Sequence, residues 1–144
     1  MNFSKLLKKA EMGDAVAQYK VGLCYEKGDG VEKNIFLAFK WYEEAAEQDS
    51  VSALYRVALM YWKGEGTEED KKLAFKIFSY LSSMMYGKAS YFLARCYEKG
   101  EYVEKDEVEA RNYYLEALQY GYREQEIERK LNLRSFDADD FFED

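Results

Sequence analysis

The side chains that usually carry chemistry are scarce in this chain, and their spacing is wrong for most reactions. There is no histidine, so the usual general base and metal ligand is missing. The two cysteines, Cys24 and Cys96, have no plausible base near them in sequence. No phosphate-binding glycine loop and no Ser-x-x-Lys nucleophile motif occurs, and Glu68-Glu69-Asp70 lacks the spacing and the glycine of a calcium loop. The Gly28-Asp29-Gly30 and Gly64-Glu65-Gly66 runs follow helical patterns and no strand, so they read as helix stops. The expectation is no catalytic residue, no metal site and no cofactor. What remains is a set of basic residues at helical spacing, which can bind an anion.

Those residues stand out against a period of 36 residues. Tyr25, Tyr61 and Tyr97 share one column of a gap-free alignment; Lys27, Lys63 and Lys99 share another; Gly28, Gly64 and Gly100 a third. Tyr19, Tyr55 and Tyr91 do the same, as do Ala38, Ala74 and Ala110. Self-similarity at such a period marks a solenoid whose units cover their apolar faces by stacking. Each unit reads as two antiparallel helices. Ala17, Val21, Cys24 and Tyr25 lie on one face of the first, with Gly22 beside them, where a small residue lets helices approach. Gly28 should end this helix in a left-handed conformation. Asn34, Asp70 and Asp106 are N-cap residues in one column and should open the second helix. Its apolar face is Ala38, Trp41, Tyr42 and Ala45. Tyr102 stands where the third unit would have its second turn glycine, so that loop is expected to differ.

Residues 3–10 align with a second helix and residues 123–133 with a first one. In the latter, Gln125 and Lys130 replace the column alanine and glycine, giving the polar face of a terminal cap. The expected domain spans 1–136, with repeats at about 10–46, 47–82 and 83–118 and a cap at 119–134; residues 137–144 form an acidic aromatic tail. Eight helices are expected, in an all-α fold. Cys24 and Cys96 share a column two repeats apart, so their Cα atoms should be roughly 20 Å apart if neighbouring helices pack at about 8–10 Å. A disulfide is not expected.

The run Ala17-Gln18-Tyr19 through Gly22, Tyr25 and Gly28-Asp29-Gly30-Val31, then Ala38 to Trp41-Tyr42-Glu43-Glu44-Ala45-Ala46, closely resembles the Sel-one-like repeat, a 36-residue relative of the tetratricopeptide repeat. The resemblance covers about residues 10–121. It is looser in the second unit, where Thr67 replaces Val31, and in the third. It implies a right-handed α-α superhelix with first helices lining the concave side, and a role as adaptor or scaffold in protein complexes.

The columns that do not repeat point to a partner. Val16, Lys20, Leu23 and Lys27 form one stripe of the first helix; Ser52, Arg56, Leu59 and Lys63 follow in unit two, and Lys88, Phe92, Arg95 and Lys99 in unit three. Seven of these twelve positions are basic and none is acidic, in a chain of net charge −7. In the geometry the resemblance implies, they line the concave groove and would take an acidic peptide, a C-terminal carboxylate or a phosphorylated segment. A solvated face, with Lys27, Lys63 and Lys99 suited to helix C-termini, is the plainer reading. Trp62 occupies the column of Glu26 and Glu98 and is a candidate interface anchor. Tyr80 replaces Glu44 and Glu116, and Met84, Met85 and Tyr86 follow it; they anchor a partner or cover an irregular junction.

The tail, Phe136-Asp137-Ala138-Asp139-Asp140-Phe141-Phe142-Glu143-Asp144, carries five of the acidic groups, leaving −2 on residues 1–136. It is either a frayed end or a segment that docks in the basic groove of its own or a neighbouring molecule. No targeting or membrane-spanning segment is visible, which suggests a cytoplasmic protein. The favoured partner is a protein with an acidic segment; nucleic acid and membrane are not expected, and the chain is expected to be a monomer or weak homodimer. A second reading is an immunity or inhibitor protein that neutralises one toxic enzyme through its acidic surface.

Overall fold

A computed structural model describes residues 2–131. Eight α-helices run through them: α1 (Phe3–Glu11), α2 (Ala15–Lys27), α3 (Ile35–Glu47), α4 (Val51–Lys63), α5 (Lys71–Ser83), α6 (Gly87–Lys99), α7 (Glu107–Gln119) and α8 (Glu124–Lys130). The all-α reading and the helix count hold. The chain divides at residue 78, inside α5, into two compact units, which are described separately.

The boundaries follow from the expected cap residues. Asn34 Oδ1 accepts from the Leu37 amide at 3.1 Å, and Asp106 Oδ1 from the Val108 and Glu109 amides. Asp70 Oδ1 accepts from the Leu73 amide at 3.0 Å. Each satisfies helix amides that have no intrahelical acceptor. At the other ends, Gly28, Gly64 and Gly100 take left-handed φ values of 71°, 69° and 70°, and their amides return to Cys24, Met60 and Cys96.

In the unit up to residue 78, Ala10, Ala17 and Val21 pack with Phe3, Leu6, Leu7 and Trp41. A second cluster joins Ala38, Phe39, Tyr42 and Ala45 of α3 to Ala53, Val57 and Met60 of α4. The period reappears in ring geometry. Phe3 meets Tyr25 edge-on at 5.4 Å, and 36 positions later Phe39 meets Tyr61 at the same separation. Helix α1 therefore packs as a second helix, as its alignment predicts. In the unit from residue 79, Tyr91, Ala94, Ala110, Tyr114, Ala117 and Ile127 form the core. Lys130 sits where first helices carry a small residue; its Nζ pairs with Glu98 at 2.9 Å and lies 5.3 Å from the Tyr114 ring centre.

Gly22 and Gly66 are required by close approach. A Cβ on Gly22 would lie 2.6 Å from the Tyr42 ring; one on Gly66 would lie 2.7 Å from the Ile35 carbonyl oxygen and 2.8 Å from Met60 Cε. The third turn corrects an expectation. Tyr102 has φ 69°, against 73° and 75° at Gly30 and Gly66, so the turn keeps its backbone and the tyrosine adopts it. The left-handed region costs a side-chain-bearing residue about 1–2 kcal/mol, which the half-exposed Tyr102 sustains. Cys24 and Cys96 are free thiols.

Gly66→Ala should destabilise the fold by about 2 kcal/mol or more, since overpacking adds to left-handed strain. Urea unfolding of the variant checks this.

Candidate interaction surface

The basic stripe lies on the first helix of each pair, beside the face those helices bury. In the unit up to residue 78, Lys20, Lys27 and Lys63 are exposed, while Leu23, Arg56 and Leu59 are half-buried. Leu23 packs against the α3–α4 core. In the unit from residue 79, Lys88, Arg95 and Lys99 are exposed and Phe92 is half-buried. Lys27, Lys63 and Lys99 are each the last residue of a helix, where a cation suits the free carbonyls. Each unit therefore presents exposed cations flanking half-buried apolar side chains.

Arg56 is the exception. Its Nη1 lies 3.6 Å from Glu26 Oε2. Glu26 also accepts from the Tyr42 hydroxyl at 2.6 Å. With Leu59, Lys63 and Glu65, this pair lines a small surface pocket of about 60 Å³. One carboxylate therefore joins α2 to its own second helix and to the next first helix. The arrangement recurs two repeats on: Glu98 accepts from the Tyr114 hydroxyl at 3.1 Å and pairs with Lys130. Among phenols, burial first, then the bond to Glu26 and its charge, push Tyr42 far above the usual tyrosine range. Burial, then the charge of Glu98, does the same to Tyr114.

Trp62 is not an exposed anchor. Only 8% of it reaches solvent. Its ring meets Phe78 at 6.4 Å, and Lys71 Nζ lies 5.1 Å from its centre. The columns explain the change. Where units one and three pair glutamate with tyrosine (Glu26 with Tyr42, Glu98 with Tyr114), unit two pairs Trp62 with Phe78. Without the phenol hydroxyl a carboxylate there would lose its donor, and an aromatic ring fills the space. In the sequence, the coupled change of the two columns is the signal that identifies the partner of this glutamate.

Tyr80, Met84 and Met85 are 55%, 48% and 65% exposed. The tail lies outside the described residues. Among the described residues, no group of three or more His, Cys, Asp or Glu side chains could hold a metal ion, and no helix is long and apolar enough to cross a membrane.

The family model of the Sel1 repeat matches residues 15–50, 51–83 and 87–121. This chain belongs to the Sel1-repeat family. Sel1-repeat proteins are helical-repeat scaffolds, generally non-catalytic, that generally mediate protein–protein interaction. Among solved structures, a Sel1 repeat protein from Oxalobacter formigenes is 29% identical with TM-score 0.71; the match covers 76% of this chain and 45% of that one. A protective antigen present in uropathogenic Escherichia coli strains, displaying an SLR fold, is 30% identical with TM-score 0.76, over 84% of this chain and 26% of that one. This chain thus spans less than half the length of either relative. Helicobacter pylori cysteine rich protein B shares the fold, with TM-score 0.64 over 85% of this chain and 90% of that one at 16% identity. These matches establish the solenoid of helix-pair repeats.

Two measurements probe the interhelical pairs. Phe78→Tyr buries a hydroxyl beside Trp62, and Trp62→Glu buries a carboxylate beside Phe78; each should destabilise the fold by about 1–3 kcal/mol. The double variant restores the pairing of units one and three, so its loss should fall short of the sum by about 1 kcal/mol or more in a double-mutant cycle. At high pH, an unfolded chain gives up its tyrosine protons near pH 10, while folded Tyr42 and Tyr114 keep theirs. The unfolded state then binds fewer protons than the folded one, so stability, full below about pH 10, falls as pH rises above it. Absorbance at the tyrosinate band should show part of the tyrosines titrating only together with loss of helical circular dichroism.

Proposed function

We propose that this chain is a non-catalytic interaction module that takes an acidic segment of a protein partner along the basic positions of its first helices. The observation that supports this is the stripe itself. Lys20, Lys27, Lys63, Lys88, Arg95 and Lys99 are all exposed, and none of the twelve stripe positions is acidic. Half-buried apolar side chains stand beside them in each unit, Leu23 and Leu59 in the one up to residue 78 and Phe92 in the one from residue 79. On either unit an acidic peptide would make charge-assisted hydrogen bonds to its carboxylates and shallow apolar contact. Arg56 contributes a cation that Glu26 already holds, so Glu26 acts as an internal competitor for a ligand carboxylate. The neutralising role of an immunity protein gains no support from Trp62, whose ring is buried.

A fluorescein-labelled peptide of ten residues, half Asp and Glu, serves as probe in fluorescence anisotropy at low salt. Lys63→Glu and Arg95→Glu should each weaken binding about tenfold or more, equivalent to about 1.4 kcal/mol, with the helical circular dichroism retained at the temperature of the assay. Glu26→Gln keeps an acceptor for Tyr42 and should tighten binding severalfold. Unaltered affinity in both charge reversals would sink the reading.

A further inference from the structure

The end of α5 breaks the pattern of the repeat at three neighbouring surface positions. The first unit places Glu44, Gln48 and Asp49 there, all exposed. The second places Tyr80 in the last turn of α5 and Met84 and Met85 in the two residues after it; the Met84 amide still donates to the Tyr80 carbonyl at 3.1 Å, so these two are neighbours. All three remain about half exposed or more. Met85 also carries a backbone cost. Its column is left-handed throughout, at Gly13 (φ 97°), Asp49 (66°), Met85 (66°) and Gly121 (76°). Glycine and aspartate tolerate that region, whereas methionine costs about 1–2 kcal/mol, and a side chain 65% exposed recovers little of it within the described residues. Strain combined with exposed apolar surface points to an occupant.

The size of the patch limits what that occupant is. Three partly exposed side chains offer on the order of 300 Å², far below the roughly 800 Å² per partner of a stable protein interface. By itself the patch is too small to hold a second copy or a globular partner. One or two phenylalanine rings, at about 150–250 Å² each, match it. The chain itself supplies them: Phe141 and Phe142 stand in the 13 residues that follow Leu131.

The reach is sufficient within one molecule. Lys130 Nζ lies 2.9 Å from Glu98, so the end of α8 sits beside the last turn of α6. A Cβ on Gly87 would lie 2.7 Å from Tyr122 Cβ, so the turn before α8 sits beside the start of α6, two residues after Met85. The path from Leu131 back to the patch is thus about one length of α6, roughly 20 Å for thirteen residues. The ten steps to Phe141 extend to about 33 Å.

We propose that the C-terminal segment folds back on its own molecule and seats Phe141 or Phe142 on Tyr80, Met84 and Met85. This places the tail on an apolar patch and leaves the basic stripe open to a separate partner, and it does not rest on the reading of that stripe.

The full chain labelled with ¹³C at its methionine methyls tests this. It has five methionines, and Met84→Leu and Met85→Leu assign two of the signals. Removing residues 137–144, or making Phe141→Ala with Phe142→Ala, should shift the Met84 and Met85 methyls by about 0.05 ppm or more through loss of ring currents. Exposed Met12, in the other unit, should stay put, and the shifts should not change on tenfold dilution. Unmoved Met84 and Met85 methyls overturn the proposal. So does an equal shift at Met12, which would mean unspecific contact, or a dependence on concentration, which would mean docking between molecules.

Discussion

The structure turns on the meeting of first and second helix within each repeat. A large aromatic of the second helix is driven fully into the gap, and the first helix must both make room for it and answer its polar end. In the first repeat Tyr42 is wholly buried against Gly22, with its hydroxyl on Glu26. A buried phenol without an acceptor would cost about 1–3 kcal/mol, so the glutamate is a structural necessity. That glutamate then holds Arg56 of the next first helix, which couples the internal packing of one repeat to the register of the following one. The third repeat uses the same device, with Lys130 of the terminal helix in the role of Arg56.

The second repeat solves the problem with hydrocarbon. Phe78 has no hydroxyl to satisfy, and Trp62 takes the volume of the carboxylate. The two solutions cannot be mixed without orphaning a polar group or leaving a void. Such pairing limits what a repeat column can mean: a residue that departs from the column looks functional until its partner column is read beside it. Trp62 is of that kind. Tyr80, Met84 and Met85 are not, since their side chains remain half exposed or more.

Charge is distributed by the same logic. Glu26, the acid that touches the basic stripe at Arg56, is one the fold needs for a tyrosine, and Lys27, Lys63 and Lys99 are exposed at helix C-termini, where they stabilise their helices. Structural and binding roles of a lysine are compatible there because exposed ion pairs and helix-end contacts are worth only about 1 kcal/mol or less.

The fold was legible in the sequence, because a strict period forces each unit to bury the same face and because caps and left-handed glycines act locally. Helix boundaries at Asn34, Asp106, Gly28 and Gly64 depend on residues within one turn, so spacing alone located them. The third turn departs from what its residues suggest: Tyr102 keeps the left-handed backbone of the glycine turns at a cost of about 1–2 kcal/mol. The candidate site was legible as a charge pattern only. Which cations are held by Glu26 or Glu98, and that Trp62 is core, were decided by contacts between helices sixteen to thirty-two residues apart in the chain. By itself the sequence determined the repeat, its caps and the sign of its surface charge, all short-range consequences of residue type and period. Tertiary structure decided which side chains are spent on packing and which remain exposed, because burial depends on the neighbour that arrives from elsewhere in the chain.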